Sequence, residues 1–361
     1  MSAAQRACHS LRPAPALAIC GWSGAGKTPA LERLVAELRA EGLLVAVVKH
    51  DAHGVSLDVE GKDSDRLFRA GASVHLTSPD EAFARTRPPE PLTTTLRTLS
   101  ERHDLVLLEG HKTTALPKVW LLSEGETGPP PEVTNVVATL PGGEDRDRAL
   151  RQTVEDWLRD QWAAAPLFGC VLIGGKSTRM GKPKHLLPAP GGTWLERLVG
   201  VMSKICDQVV VAGDGELPPG LAETVRLTDP PDLGGPMAGM LAAMRWAPRV
   251  CWLFAPCDVP CLDEDALRWL LGMRRPGVWA VMPMLADKPH PEPLLAYYDF
   301  RARHLLENLA AGGDFCPARI CTHHHVLTPT PPAHLARAWR NVNTRRELGA
   351  QGAHPGCRNA E

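Results

Sequence analysis

The hydrophobic pattern alternates buried strands with amphipathic helices. Residues 16–20 (ALAIC) are continuously apolar, and after a glycine-rich turn at 21–28 the residues Leu31, Leu34, Val35 and Leu38 recur on one helical face, with Gly42 just past its end. Residues 43–48 are apolar and β-branched without alternation, as expected of a strand covered on both faces of a parallel sheet. Strand, glycine turn, helix and strand together make a βαβ unit. Further along, the pattern predicts a helix over 64–70, a Pro-rich loop over 85–92 and a buried strand over 105–108, with Asp104 before it and Glu109 at its end. Strands over 119–122 and 133–139 and a charged amphipathic helix over 146–161 complete the first series.

The pattern then restarts. A strand over 170–173 runs into a second glycine-rich loop, GGKSTRMGKPK, and Thr193 with Glu196 forms a capping box for a helix over 194–205. Strands are expected over 209–212, 250–255, 278–282 and 319–326, and helices over 237–244, 265–273 and 300–310. The expected organisation is a leader over 1–15, a domain over 16–163, a boundary near 163–166, a second domain over 167–349 and a tail over 350–361. The fold class is α/β, with a mostly parallel sheet carrying helices on both faces in the first domain.

Composition narrows the function. At 361 residues the chain suits two domains, and 40 basic against 41 acidic residues leave a net charge of −1. With 44% hydrophobic residues this excludes a disordered polyelectrolyte and argues against a nucleic-acid partner held by bulk positive charge. No apolar run approaches the ~18 residues of a membrane span, and the first twenty residues lack the apolar core of a secretory signal. The ten cysteines, without CxxC spacing, read as reduced thiols of a cytoplasmic protein. His323, His324 and His325 are consecutive, so on a strand only the first and third share a face, and they read as an edge strand rather than a metal site. The ten tryptophans are dispersed and read as core or interface residues.

Chemistry concentrates in two loops. Gly21-Trp22-Ser23-Gly24-Ala25-Gly26-Lys27-Thr28 satisfies GxxxxGK[ST] between a buried strand and a helix N-terminus, the P-loop context of a nucleoside triphosphate site. Its glycines let backbone N–H groups surround phosphate, Lys27 supplies charge, and the Thr28 hydroxyl can reach Mg²⁺. Glu109, at a later strand end, either acts on that Mg²⁺ through water or is a loop carboxylate bonded to neighbouring amides.

In the second loop the adjacent Gly174 and Gly175 permit close backbone approach to a nucleotide, while Arg179 and Lys184 can hold a triphosphate and neutralise departing pyrophosphate. Of the clustered lysines Lys176, Lys182 and Lys184, the last carries this role. Asp258 ends the apolar strand VCWLFAPCD, where a carboxylate has no packing reason to be and where Mg²⁺ sites sit. The alternative, a helix cap, is better filled by Asp263.

These residues carry two family resemblances. GWSGAGKT, VVKHDAHG with Asp58, GKDSDRLFRAGA at 61–72, DLVLLEGHK at 104–112 and Pro117-Lys118 resemble the MobB family, GTP-binding adaptors of molybdenum cofactor biosynthesis, over about residues 16–161. That resemblance implies GTP rather than ATP at Gly21, Ser23, Gly24, Gly26, Lys27, Thr28 and Glu109, with weak hydrolysis at most. LIGGKSTRMG, DPPDLGGPMAGM at 229–240, PCDVP at 256–260, HPEPLLAYY at 290–298 and NVNTRREL at 341–348 resemble the MobA family, molybdenum cofactor guanylyltransferases on a GT-A/Rossmann-like nucleotidyltransferase fold. This second resemblance implies that Leu172, Ile173, Gly174, Gly175 and Asp229 contact the guanine nucleotide, Lys184 its phosphates and Asp258 the Mg²⁺. It puts Asn341 and Asn343 near the pterin.

Two positions depart from the family pattern: Asp214 stands where Asn is usual, which puts that nucleotide contact in question, and Pro183 replaces an Asp. The cytidylyltransferase sister family shows Ala-Gly where this chain has Gly174-Gly175 and lacks the GPMAGM segment, so guanine is favoured. The implied reaction moves GMP from GTP to Mo-molybdopterin with release of pyrophosphate. Molybdenum insertase and molybdoenzyme chaperones are the implied protein partners. The competing reading is a GTP-dependent pterin carrier without transferase activity.

Overall fold

In the computed structural model, residues 15–50, 58–174 and 183–342 are described. The chain divides into two compact units, one of Pro13–Leu158 and one running from Arg159 onward.

The first unit is built on five parallel strands, β1 (Ala16–Cys20), β2 (Val45–Lys49), β5 (Leu105–Glu109), β6 (Lys118–Leu121) and β7 (Val136–Leu140), in the order β2-β5-β1-β6-β7. The strand β1 is central and wholly buried because every side chain on it is apolar. On one of its faces Ala16, Ala18 and Cys20 pack with Val106, Leu108, Trp120 and Leu96 of the helix Leu92–Ser100. The helix Lys27–Ala40 buries Ala30, Leu31, Leu34 and Leu38 against β1, β2 and β5. The expectation that residues 43–48 form a doubly covered strand is corrected: β2 is the sheet edge, and Val47 is 45% exposed. Its β-branched composition reflects strand propensity rather than burial.

A two-stranded antiparallel hairpin, β3 (Val74–Thr77) with β4 (Ala82–Arg85), stands apart from this sheet and follows the helix Asp63–Arg69. It is pinned by Arg85, which donates to Asp58 at 3.1 Å and Asp65 at 2.9 Å and stacks over Phe68.

The second unit holds a seven-stranded mixed sheet in the order β12-β11-β8-β13-β15-β14-β16. Its members are β8 (Leu167–Leu172), β11 (Gln208–Ala212), β12 (Arg226–Leu227), β13 (Cys251–Pro256), β14 (Ala280–Val281), β15 (Ala296–Tyr298) and β16 (Val326–Leu327). The strands β12, β11, β8 and β13 run parallel, whereas β15 is antiparallel to both neighbours. A short pair, β9 (Pro188–Ala189) with β10 (Gly192–Thr193), leads into the helix Trp194–Met202. There the capping box forms as expected: the Thr193 hydroxyl accepts from the Glu196 amide, and Glu196 accepts from the Thr193 amide at 2.7 Å.

The strand expected over 319–326 is instead a 3₁₀ turn, Pro317–Thr322, followed by the two-residue β16. A proline in the first turn starts that helix, and the His325 ring turns inward to Gly277 O at 2.7 Å and stacks on Trp279 at 4.3 Å. The three histidines therefore lie on a turn and not on an edge strand. Among the described residues, no helix is long and apolar enough to cross a membrane, and no three His, Cys, Asp or Glu side chains converge to hold a metal between them. Cys20, Cys170, Cys206, Cys251, Cys257, Cys316 and Cys321 are free thiols.

One glycine is dictated by close approach. Gly213, with φ +124°, follows β11 so tightly against β8 that a Cβ there would sit 1.8 Å from Ile173 O. Gly213→Ala should destabilise the second unit by about 3 kcal/mol or more, since strain and overlap add. Denaturant unfolding followed by tryptophan fluorescence checks this.

Candidate nucleotide sites

In the second unit, strand register places the chemistry. Leu172 of β8 is level with Ala212 of β11 and with Pro256 of β13, so the residues that follow each strand emerge together at one sheet edge. A cavity of about 530 Å³ lies there. Leu172, Ile173 and Gly174 line it from β8, Cys257 and Asp258 from β13, and Gly235, Pro236 and Gly239 from the start of the helix Gly235–Trp246. That helix N-terminus brings unpaired amides and a partial positive charge, which suits an anion. Gly239 has its own steric reason: a Cβ would stand 3.0 Å from Leu172 Cδ2 and 3.4 Å from Asp229 Oδ1.

Lys184, Asp229 and Asn341 line the same cavity. Lys184 Nζ donates to Asp258 Oδ2 at 3.0 Å, both side chains being more than four-fifths buried. The other Asp258 oxygen is buried without a hydrogen-bond partner. Pro183 caps the 3₁₀ turn Lys184–Leu186 that presents the lysine, so the proline is accommodated where the family pattern has Asp. The backbone of Asp258 is tied to the chain's last described segment, since Val342 N donates to Asp258 O at 2.9 Å. Gly175, Arg179 and Asn343 lie outside the described residues, as do Lys176 and Lys182.

Asp229 keeps a buried Oδ1 without a partner, and burial, then the nearby Asp214 carboxylate, push its carboxyl above the ordinary value. Asp214 itself is exposed and stands off the cavity lining, so its influence on Asp229 is electrostatic. Cys257 borders the cavity as a thiol whose pKa burial pushes up to about 12, with Asp258 adding to the effect.

In the first unit, Gly24 and Gly26 adopt φ +82° and +77°, which L side chains rarely adopt, and the loop they form runs into the helix Lys27–Ala40. Lys27 Nζ donates to Gly21 O at 3.2 Å and to Trp22 O at 2.7 Å, curling over the loop. The Thr28 hydroxyl donates to Glu109 Oε1 at 2.7 Å, and Lys49 Nζ lies 3.3 Å from Glu109 Oε2. Both Glu109 oxygens thus face side chains at the phosphate-loop edge.

Arg146, the first residue of the helix Arg146–Ala163, joins the phosphate-loop edge only through the tertiary structure. Its guanidinium donates to Ala25 O at 2.7 Å, Leu122 O at 2.7 Å and Pro141 O at 2.9 Å. No motif marks it; the only signal is an arginine opening a helix shortly after a strand that ends at the same sheet edge. Conversely, Gly61 and Ser64 of the GKDS signature make local structural contacts. Gly61 N–H, Arg85 and Arg69 converge on Asp65 and hold its carboxyl down to about 2, while Ser64 donates to Asp58 at 2.8 Å.

The family models place both units. Residues 16–140 match the model described as molybdopterin guanine dinucleotide synthesis protein B, MobB, and residues 169–326 match the MobA-like NTP transferase domain. A molybdopterin-guanine dinucleotide biosynthesis adapter protein of Haemophilus influenzae is 42% identical over 133 residues, 35% of this chain and 73% of that protein. A probable molybdenum cofactor guanylyltransferase of Bacillus thuringiensis is 31% identical over 140 residues, 37% of this chain and 69% of that protein. The chain belongs to both the MobB and the MobA families. A molybdenum cofactor biosynthesis bifunctional protein of Synechocystis is 32% identical over 157 residues, 43% of this chain and 45% of that relative. In this MobB–MobA chain each family segment contains one of the two loops described above.

The raised Asp229 carboxyl makes a pH prediction for the MobA unit. A carboxyl with a folded pKa above its unfolded one binds its proton more tightly in the native state. It costs stability above the folded pKa, and the cost fades as pH falls towards the unfolded value of about 4. Asp229→Asn should therefore raise the thermal midpoint, by more at about pH 7.5 than at about pH 4.5. An equal gain at both would assign the effect to packing.

Proposed function

We propose that this chain is a molybdenum cofactor guanylyltransferase, moving GMP from GTP to Mo-molybdopterin, with a GTP-binding accessory domain at its N-terminal end. The observation that carries the reading is the Lys184–Asp258 pair, with one Asp258 oxygen buried and unpartnered beside a helix N-terminus in the cavity of the MobA unit. A buried charge pair is costly to maintain for stability alone. A substrate with phosphates and a hard cation supplies the missing partners.

The reaction forms a bond between a terminal phosphate oxygen of the pterin and the α-phosphorus of GTP, and breaks the bond from that phosphorus to the bridging oxygen. The bridging oxygen keeps the electron pair and departs in pyrophosphate. The attacking phosphate is already ionised at neutral pH, so no strong general base is required. Lys184 is assigned to the phosphates, where its fixed positive charge stabilises the charge gathering on the leaving group. Arg179 is assigned the same task on the family pattern. Leu172, Ile173, Gly174, Gly175 and Asp229 are assigned to the guanine nucleotide, with the buried Asp229 oxygen as an acceptor for base or ribose donors. Asn341 and Asn343 are assigned to the pterin.

A hard, buried, unpartnered carboxylate oxygen is the donor type that Mg²⁺ takes, so Asp258 fits that ion, and Thr28 with Glu109 does so in the MobB unit. When bound, Mg²⁺ supplies Lewis-acid polarisation of phosphate oxygens. In the MobB unit the loop amides, Ser23 and Lys27 are assigned to the triphosphate of GTP.

The test is pyrophosphate release from GTP and from CTP with Mo-molybdopterin as acceptor. Asp258→Ala and Lys184→Ala should each lower the rate by at least about 100-fold. Preference for CTP overturns the guanine assignment, and an unimpaired Asp258→Ala overturns its role. Lys27→Ala should abolish GTP binding by the MobB unit; disappearance of all pyrophosphate release with it would overturn the accessory role.

A further inference from the structure

Lys184 is presented by a 3₁₀ turn of only three residues, Lys184–Leu186. A segment that short has too few internal hydrogen bonds to hold its own place, so its position must be set from outside. One anchor is the chain that follows the turn: Trp194 N donates to Leu187 O at 2.9 Å, and Leu187 packs on Ala189, Trp194 and Val342. Val342 is also the residue whose amide holds the Asp258 carbonyl, so the end of the turn and the carboxylate share one support. A second anchor is a side chain.

His185, the middle residue of the turn, is only 6% exposed, and its Nε2–H donates to Glu216 O at 2.9 Å. A carbonyl can only accept, which fixes a proton on Nε2. Glu216 lies in the loop after β11, and the preceding Gly215 is held in turn by Arg226 of β12, which donates to Gly215 O at 3.2 Å. The ring and the loop are in close contact: a Cβ at Gly215 would stand 2.6 Å from His185 Cε1 and 2.9 Å from Nε2. An apolar side chain could fill the same space at several heights, whereas a buried, bonded ring admits one arrangement.

We propose that His185 is a positioning residue for the phosphate lysine. By locking the turn to the Gly215–Glu216 loop it keeps Lys184 on the cavity wall, with Nζ 3.0 Å from Asp258 Oδ2. The proposal rests on reading Lys184 as the group that stabilises the departing pyrophosphate. The ammonium sits on a long flexible stem, so a turn released from the loop lets it spread over positions that no longer meet the developing charge. That interaction is strongest in the transition state, so the loss falls on kcat rather than on the KM for GTP.

The test is a double-mutant cycle on pyrophosphate release by the full-length chain with GTP and Mo-molybdopterin. His185→Phe keeps a ring and removes the donor; it should lower kcat by about tenfold or more and change the KM for GTP by less than about threefold. His185→Gln, whose amide N–H can reach the same carbonyl, should restore most of the loss. Gly215→Ala, which crowds the ring off Glu216 while leaving donor and acceptor in place, should reproduce it. In a Lys184→Ala background, His185→Phe should cost nothing further. An equal loss in both backgrounds, or an unimpaired His185→Phe, overturns the positioning role, whatever happens to the thermal midpoint. If Lys184→Ala is itself unimpaired, the reading of Lys184 falls, and the role of His185 falls with it.

Discussion

A strand whose side chains are all buried cannot carry charge until it ends. That constraint organises both halves of the chain. In the first unit β1 is apolar from Ala16 to Cys20 and turns directly into the glycine loop. In the second, β8 and β13 are apolar over their length, and the first carboxylate after β13 is Asp258. Because the neighbouring strands are parallel and end in step, what each must defer arrives at one edge together. Amides, lysine and carboxylate then stand beside a low-dielectric sheet, where electrostatic interactions are stronger than in water.

The two edges use the constraint differently. At Asp258 the pairing is direct: lysine on one oxygen, the other oxygen buried and unpaired, so the site is biased towards a positive partner. At the phosphate loop the anchoring is distributed. Glu109 faces Thr28 and Lys49, while Arg146 ties the loop's Ala25 carbonyl to two neighbouring strand ends. One arrangement concentrates charge on a point and the other shapes a cleft around a loop.

How much of this could be read from residue order follows the same logic. Strands such as Leu105–Glu109 and Cys251–Pro256 are legible because burial on both faces leaves an uninterrupted apolar run, and the phosphate loop is legible because its backbone demands glycine at fixed spacing. The β3–β4 hairpin was not, since VHLT and AFAR are too short to display a period and are held by Arg85 across distant sequence. Nor was β15, three residues whose antiparallel direction only tertiary pairing decides. Residues 319–326 misled because β-branched and aromatic-like content suggested a strand where Pro317 and an inward His325 impose a turn. Arg146 escaped for another reason: its three acceptors are backbone carbonyls, which leave no trace in side-chain identity. The GKDS segment read as a family mark, and the carboxylates on either side of it, Asp58 and Asp65, hold a hairpin together.

Cys257 sits immediately before Asp258, on the wall of the cavity that the Lys184–Asp258 pair also lines. Burial keeps it a neutral thiol at physiological pH. A thiolate is a soft ligand and a good nucleophile; a buried thiol is neither. Among the described residues of that wall, Cys257 therefore adds neither a negative charge nor a competing ligand beside Asp258.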